Sequence, residues 1–123
     1  MKTLLIVDDE YGIVEEIRDF FTEEGFEVHT ADTGKQGMDQ VEKIKPDVML
    51  LDMRLPDMSG IEVLRVCKSV SPKTRVIVNT GYVDQSIIDE AESLGRDVFL
   101  QKPFNLLHLK EQVDRLVAEN DAA

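Results

Sequence analysis

Short apolar runs and longer stretches of helical spacing take turns along this chain. The runs rich in Val, Ile and Leu read as strands: Leu4 to Val7, Phe26 to Thr30, Val48 to Leu51, Arg75 to Asn79 and Val98 to Leu100. Between the first two, Ile13, Val14, Ile17, Phe20 and Phe21 recur at helical intervals, with Glu15, Glu16, Arg18 and Asp19 turned outward. Gly25 is placed to close that helix. A second helix is expected from about Lys35 to Ile44, with Met38, Val41 and Ile44 inward and Pro46 beyond its end. The third starts near Gly60, carries Ile61, Leu64 and Cys67, and stops before Pro72. The fourth starts near Asp84, uses Ile87, Ile88 and Ala91, and ends near Gly95. The last starts near Asn105 and shows Leu106, Leu109, Val113, Leu116 and Val117.

Strand and helix therefore alternate as (βα)5. Continuous rather than alternating apolar strands mean a sheet covered on both faces. Strict alternation implies right-handed crossovers and parallel strands. The fold class is α/β, a three-layer sandwich around a parallel five-stranded sheet. One domain is expected over 1–119, with a fraying tail over 120–123.

In such sheets, sites form at the carboxyl ends of the strands, where strand order reverses. The first apolar run, "LLIV", ends in Asp8, Asp9 and Glu10. The second is followed by Ala31 and Asp32, the third by Asp52, the fourth by Thr80 and Gly81, and the fifth by Gln101, Lys102 and Pro103. Singly, each polar residue has an ordinary explanation: a helix cap, a turn, a strand hydroxyl, a solvated lysine. Jointly those explanations need four coincidences on one sheet edge. Two carboxylates about 5 Å apart repel by roughly 3 kcal/mol at an effective dielectric near 20. A divalent cation offsets that repulsion well, and Mg²⁺ takes a few carboxylate oxygens while keeping waters that phosphate oxygens can replace. Nucleophile, metal, hydroxyl and lysine are the parts of a phosphoryl-transfer site.

Charge and composition narrow the partners. The chain has 123 residues and a net charge of −11, so it repels nucleic acid and anionic membranes. A single cysteine, Cys67, excludes an intramolecular disulfide and fits a reducing, cytoplasmic compartment. The early apolar run is too short for a signal peptide, and no stretch is long enough to span a bilayer. His29 and His108 are far apart and read as surface or partly buried residues.

"VDDE", "LLDMRLPDMSG", "NTG" and "FLQKPF", in that order, resemble a response-regulator receiver domain of two-component signalling, of the chemotaxis-regulator type. The resemblance spans about residues 3 to 118 and implies a flavodoxin-like sheet in the order 2-1-3-4-5. By position, Asp52 matches the phosphoacceptor. Asp8, Asp9 and Asp52, with the backbone carbonyl of Met53, match the Mg²⁺ ligands. Thr80 matches the hydroxyl that binds a phosphoryl oxygen, and Lys102 the lysine that pairs with the phosphoryl group. Pro103 matches a proline usually reached through a cis peptide. Phe99 matches the rotameric aromatic switch, and Pro56 and Gly60 the loop after the acceptor. Arg54 and Tyr82 occupy the positions that tune phosphoryl lifetime. Glu10 is read as favouring the first turn of its helix rather than serving the metal.

The resemblance further implies a sensor histidine kinase or phosphotransfer protein as donor, a phosphorelay role, and a downstream protein or output domain as target. Pairing of two copies through the face of the fourth helix, fifth strand and fifth helix also belongs to the family. The domain would catalyse only its own phosphorylation and dephosphorylation. Its end after residue 123 fits a stand-alone regulator or a piece of a longer protein. Rival readings fare worse. A haloacid-dehalogenase-like phosphatase needs a second Asp two residues after the first, where this chain has Arg54. A flavodoxin-like cofactor carrier needs a Ser/Thr/Gly-rich loop after the first strand, where this chain has carboxylates. A pseudo-receiver would not need Asp52, Thr80 and Lys102 together.

Overall fold

The computed structural model describes residues 1–81 and 84–122. The elements run β1 (Thr3–Val7), α1 (Tyr11–Glu23), β2 (Glu27–Ala31), α2 (Gly34–Ile44), β3 (Val48–Asp52), α3 (Gly60–Val70), β4 (Arg75–Thr80), α4 (Gln85–Ser93), β5 (Val98–Gln101) and α5 (Leu106–Ala122). All strand pairs are parallel, in the order β2-β1-β3-β4-β5.

Side-chain alternation splits the core into two layers. Leu5, Val7, Met49, Leu51, Val76 and Val78 face α2, α3 and α4, against Val41, Ile61, Leu64, Cys67 and Ala91. Leu4, Ile6, Val48, Leu50, Ile77 and Leu100 face α1 and α5, against Val14, Ile17, Phe21, Leu109, Val113 and Leu116. Cys67 is buried in the first layer, and that burial pushes its thiol up to about 11, so it is packing rather than chemistry. Among the described residues, no helix is long and apolar enough to cross a membrane.

Capping sets the helix limits. Thr33 accepts from the Gln36 N–H at 3.1 Å, Ser59 from the Ile61 N–H at 3.2 Å, and Asp84 from the Ser86 N–H at 2.9 Å. Asn105 takes the Leu107 and His108 N–H groups at 2.7 and 3.2 Å, so α5 begins one residue after it. Gly25 ends α1 with φ +93, as the pattern predicts.

Strand ends shift by a residue from the sequence reading, so that Asp52 and Thr80 close β3 and β4, and two differences have a clear cause. Phe26 is not in β2: its N–H closes the end of α1 on the Phe21 carbonyl at 3.0 Å, and its ring packs edge-on against Phe21 at 5.3 Å. The helix cap claims it before the sheet does. At the other end, α5 continues through Ala122 instead of fraying from residue 120. Arg75 reaches Asn120 at 3.4 Å and Lys2 pairs with Asp121 at 2.5 Å, which ties this last turn to the sheet.

Candidate functional site

Strand order reverses between β1 and β3, which start neighbouring crossovers on opposite faces. Val7 pairs with Leu51, so the next residues, Asp8 and Asp52, end adjacent strands side by side. Both are buried, as is Thr80 at the end of β4. Lys102 follows β5 and is fixed there by its own N–H, which donates to the Thr80 carbonyl at 2.9 Å. The Lys102–Pro103 peptide is cis.

From that anchor the Lys102 ammonium reaches inward. It donates to Asp8 Oδ2 at 2.8 Å, to Asp52 Oδ2 at 3.4 Å, and to Glu10. Its side chain is only 9 % exposed. Burial would lower its basicity, but the hydrogen bonds to Asp8 and Glu10 and the charges of Asp8 and Asp52 raise it further, so it stays charged. Asp52 is pushed above its ordinary carboxylate value, first by burial and then by the charge of Asp8. Lys102 and the Arg54 N–H, at 3.3 Å from Asp52 Oδ1, act in the opposite direction.

The carboxylates of Asp8, Glu10 and Asp52 each offer an oxygen within 4.8 Å of the others. Three carboxylates against one ammonium leave an oxygen-rich, net negative pocket. Hard oxygen donors at this spacing suit a Mg²⁺ ion that keeps several waters. A cavity of about 350 Å³ opens beside them, lined by Asp9, Glu10, Asp52, Arg54, Thr80 and Gly81.

The structure refines several sequence expectations. Glu10 stands at the N-cap of α1 but makes no capping hydrogen bond with its side chain. It turns instead to Lys102, because a full cation there outweighs the partial charge of a helix end. Asp9 is exposed and lies outside the close trio, although it lines the cavity. The Met53 carbonyl already accepts the Gly60 N–H at 2.9 Å, and of these two residues after Asp52 it is Arg54 that lines the cavity. Phe99 pairs with Val78 and packs half-buried in the layer under α4, with the Arg96 guanidinium 5.8 Å from its ring centroid. Thr80 lies two residues beyond Val78, on the same face as Phe99. Tyr82 lies outside the described residues.

One residue escaped the sequence reading. Asp57, in the loop after Asp52, accepts from the Gly34 and Lys35 N–H groups at 2.8 and 3.0 Å. These bonds, the Gly34 one foremost, hold its carboxyl below the ordinary value. It caps α2 from 23 residues away and pins the loop that carries Arg54 and Pro56. Nothing local marks an Asp in a loop as the cap of a distant helix.

Comparison with known proteins shows the family and the fold. A family model described as the response regulator receiver domain matches residues 4–114. Sporulation initiation phosphotransferase F of Bacillus subtilis is 38% identical over 114 residues, covering 93% of this chain and 92% of that protein. Chemotaxis protein CheY of Thermotoga maritima is 28% identical over 116 residues, covering 94% and 97%. A CheY-like receiver domain from Methanospirillum hungatei superposes with a TM-score of 0.97 at 30% identity, covering 99% of this chain and 98% of that one. With its sheet order, its strand-end carboxylates and its lysine, this chain belongs to the response regulator receiver domains of two-component signalling.

Proposed function

We propose that the protein accepts a phosphoryl group on Asp52 from a sensor histidine kinase or phosphotransfer protein, in a Mg²⁺-dependent reaction in the cytoplasm. The observation that supports this best is the Asp52 carboxylate, buried beside Asp8 and within 3.4 Å of the Lys102 ammonium at the strand-order reversal. Asp8 and Asp52 would hold the ion, with Asp9 or Glu10 acting at its outer side and a backbone carbonyl after Asp52, Met53 in the family pattern, as a further ligand. Bound there, Mg²⁺ supplies neutralisation of charge on the phosphoryl oxygens.

The residues of the chain do the rest. An Asp52 oxygen attacks phosphorus in line, forming the acyl phosphate O–P bond as the P–N bond of the donor phosphohistidine breaks. Lys102 exchanges its Asp52 contact for a phosphoryl oxygen, and Thr80 donates its hydroxyl to another. Thr80 and Phe99 share one face of the sheet, so inward movement of Thr80 opens space that Phe99 fills. That reshapes the face of α4, β5 and α5, where a downstream protein, an output domain or a second copy docks. The switch is a two-state equilibrium biased by local charge. The receiver unit extends through α5, whose last turn Arg75 and Lys2 tie to the sheet. Arg54, exposed at the cavity, and Tyr82 slow hydrolysis by screening the phosphoryl group. Unchanged dephosphorylation in Arg54→Asn with Tyr82→Glu would refute that screening.

Incubation with acetyl phosphate and Mg²⁺, with and without EDTA, tests the whole reading by intact mass. The expected result is a Mg²⁺-dependent gain of one phosphoryl group that Asp52→Asn abolishes. No gain in the folded, Mg²⁺-binding protein would overturn it.

A further inference from the structure

β4 carries a buried polar group that the chemistry above does not use. Asn79 is 0 % exposed, and neither Oδ1 nor Nδ2 of its amide has a hydrogen-bond partner among the described residues. Proteins nearly always satisfy such groups, because leaving them dry forfeits their hydration without return. The β3–β4 ladder pairs Asn79 with Asp52. Residues paired in a parallel ladder put their side chains on the same face, one strand spacing apart. The pair two residues earlier, Leu50 and Ile77, belongs to the apolar layer under α1 and α5. On its other side Asn79 pairs with Leu100 of the same layer. The register thus sets Asn79 on the face of this apolar layer, one strand over from Asp52.

Asp52 is loosely held in turn. Its contacts to the Arg54 N–H and to Lys102 are long, at 3.3 and 3.4 Å. A carboxylate accommodates about four donors, so lone pairs are left over. An amide donor without an acceptor sits next to an acceptor short of donors.

We propose that Asn79 is a positioning residue for Asp52. After a side-chain rotation its Nδ2–H donates to the inner oxygen of the carboxylate and holds the outer oxygen toward the incoming phosphorus. The proposal rests on the reading of Asp52 as phosphoacceptor. Asn79 itself forms no bond to phosphorus and carries no proton away. An apolar side chain in this setting would suit the fold better, which is why a functional return must be sought for the amide.

Asn79→Leu removes the donor and both buried polar atoms, and Asn79→Ser keeps a shorter donor. Three readouts separate function from packing. The side-chain amide resonance of Asn79, assigned by its loss in Asn79→Leu or Asn79→Ser, should shift when Asp52→Ala removes the acceptor. The thermal midpoint of Asn79→Leu should equal or exceed that of the wild type. Its maximal rate of labelling by acetyl phosphate should fall about tenfold while the half-saturating Mg²⁺ concentration moves less than about twofold, with Asn79→Ser intermediate. An Asn79 resonance indifferent to Asp52→Ala, or wild-type labelling by a folded Asn79→Leu, would overturn the proposal. If Asn79→Leu does not fold, Asn79→Ser and the resonance decide. A wild-type protein that takes no phosphoryl group would sink the receiver chemistry, whereas the resonance reports on the Asn79–Asp52 bond whether or not labelling occurs.

Discussion

Replacing Asp52 by Asn is expected to stabilise the metal-free fold at neutral pH. Asp8 and Asp52 offer oxygens within 4.8 Å of each other. At that distance two unit charges repel by about 3.5 kcal/mol at an effective dielectric near 20. Glu10 adds repulsion too, but its side chain is 51% exposed, so solvent screening cuts its share to at most about 1 kcal/mol. Lys102, 3.4 Å away, attracts by about 5 kcal/mol on the same scale. Attraction and repulsion nearly cancel, which leaves the desolvation of a side chain only 6% exposed offset mainly by the long Arg54 N–H contact. Burying a carboxylate costs several kcal/mol when nothing offsets it. Because the crevice is open on one side, we expect Asp52→Asn to gain about 2 kcal/mol, a rise of about 8 °C in Tm for a chain this size. The sign of the pH dependence follows from the raised Asp52 value. The folded wild type binds more protons than the unfolded chain between the ordinary carboxylate range and the raised folded value. Wild-type stability therefore falls as pH rises through that window, and the advantage of Asp52→Asn is full above it and vanishes below it. Thermal unfolding followed by circular dichroism across this range, with EDTA present, measures the difference. Added Mg²⁺ should narrow it, since the ion binds the wild-type carboxylates better. An Asp52→Asn variant less stable than wild type at neutral pH, or a difference that ignores pH, would refute the balance.

Other substitutions probe the scaffold. A Cβ at Gly60 would lie 2.4 Å from the Asp52 carbonyl oxygen and 2.8 Å from Met53 Cα, so Gly60→Ala should cost about 1–3 kcal/mol in urea unfolding and slow acetyl phosphate labelling by displacing the Asp52 main chain. Phe21 is fully buried between Phe20 and Phe26, with ring centroids 5.2 and 5.3 Å away, and Phe21→Ala should lose about 3–5 kcal/mol in the same assay. Asp97 accepts from Arg75 Nε and the Val76 N–H, both at 2.8 Å, so Asp97→Ala should cost about 2 kcal/mol, a drop in the urea midpoint that Asp97→Asn partly restores.

The element order was legible in the chain because burial writes a local period, two along a strand and 3.6 along a helix. The chemistry at the strand ends was legible for a related reason. A parallel sheet presents all its carboxyl ends on one edge, so reading the first few residues after each apolar run collects Asp8, Asp52, Thr80 and Lys102 before any contact is known. What the sequence could not determine was decided by partners distant along it. Glu10 leaves the helix end for a lysine 92 residues away, and Asp57 caps a helix it does not belong to. Phe26 reads as a strand residue until the end of α1 takes its N–H. Asn79 reads as the last residue of an apolar run, and only the β3–β4 register pairs it with Asp52. Hydrophobic periodicity is a property of neighbours in the chain. The direction of a polar side chain depends on which charges and lone pairs folding brings within 3 or 4 Å of it, and that is known only once the strands are in register.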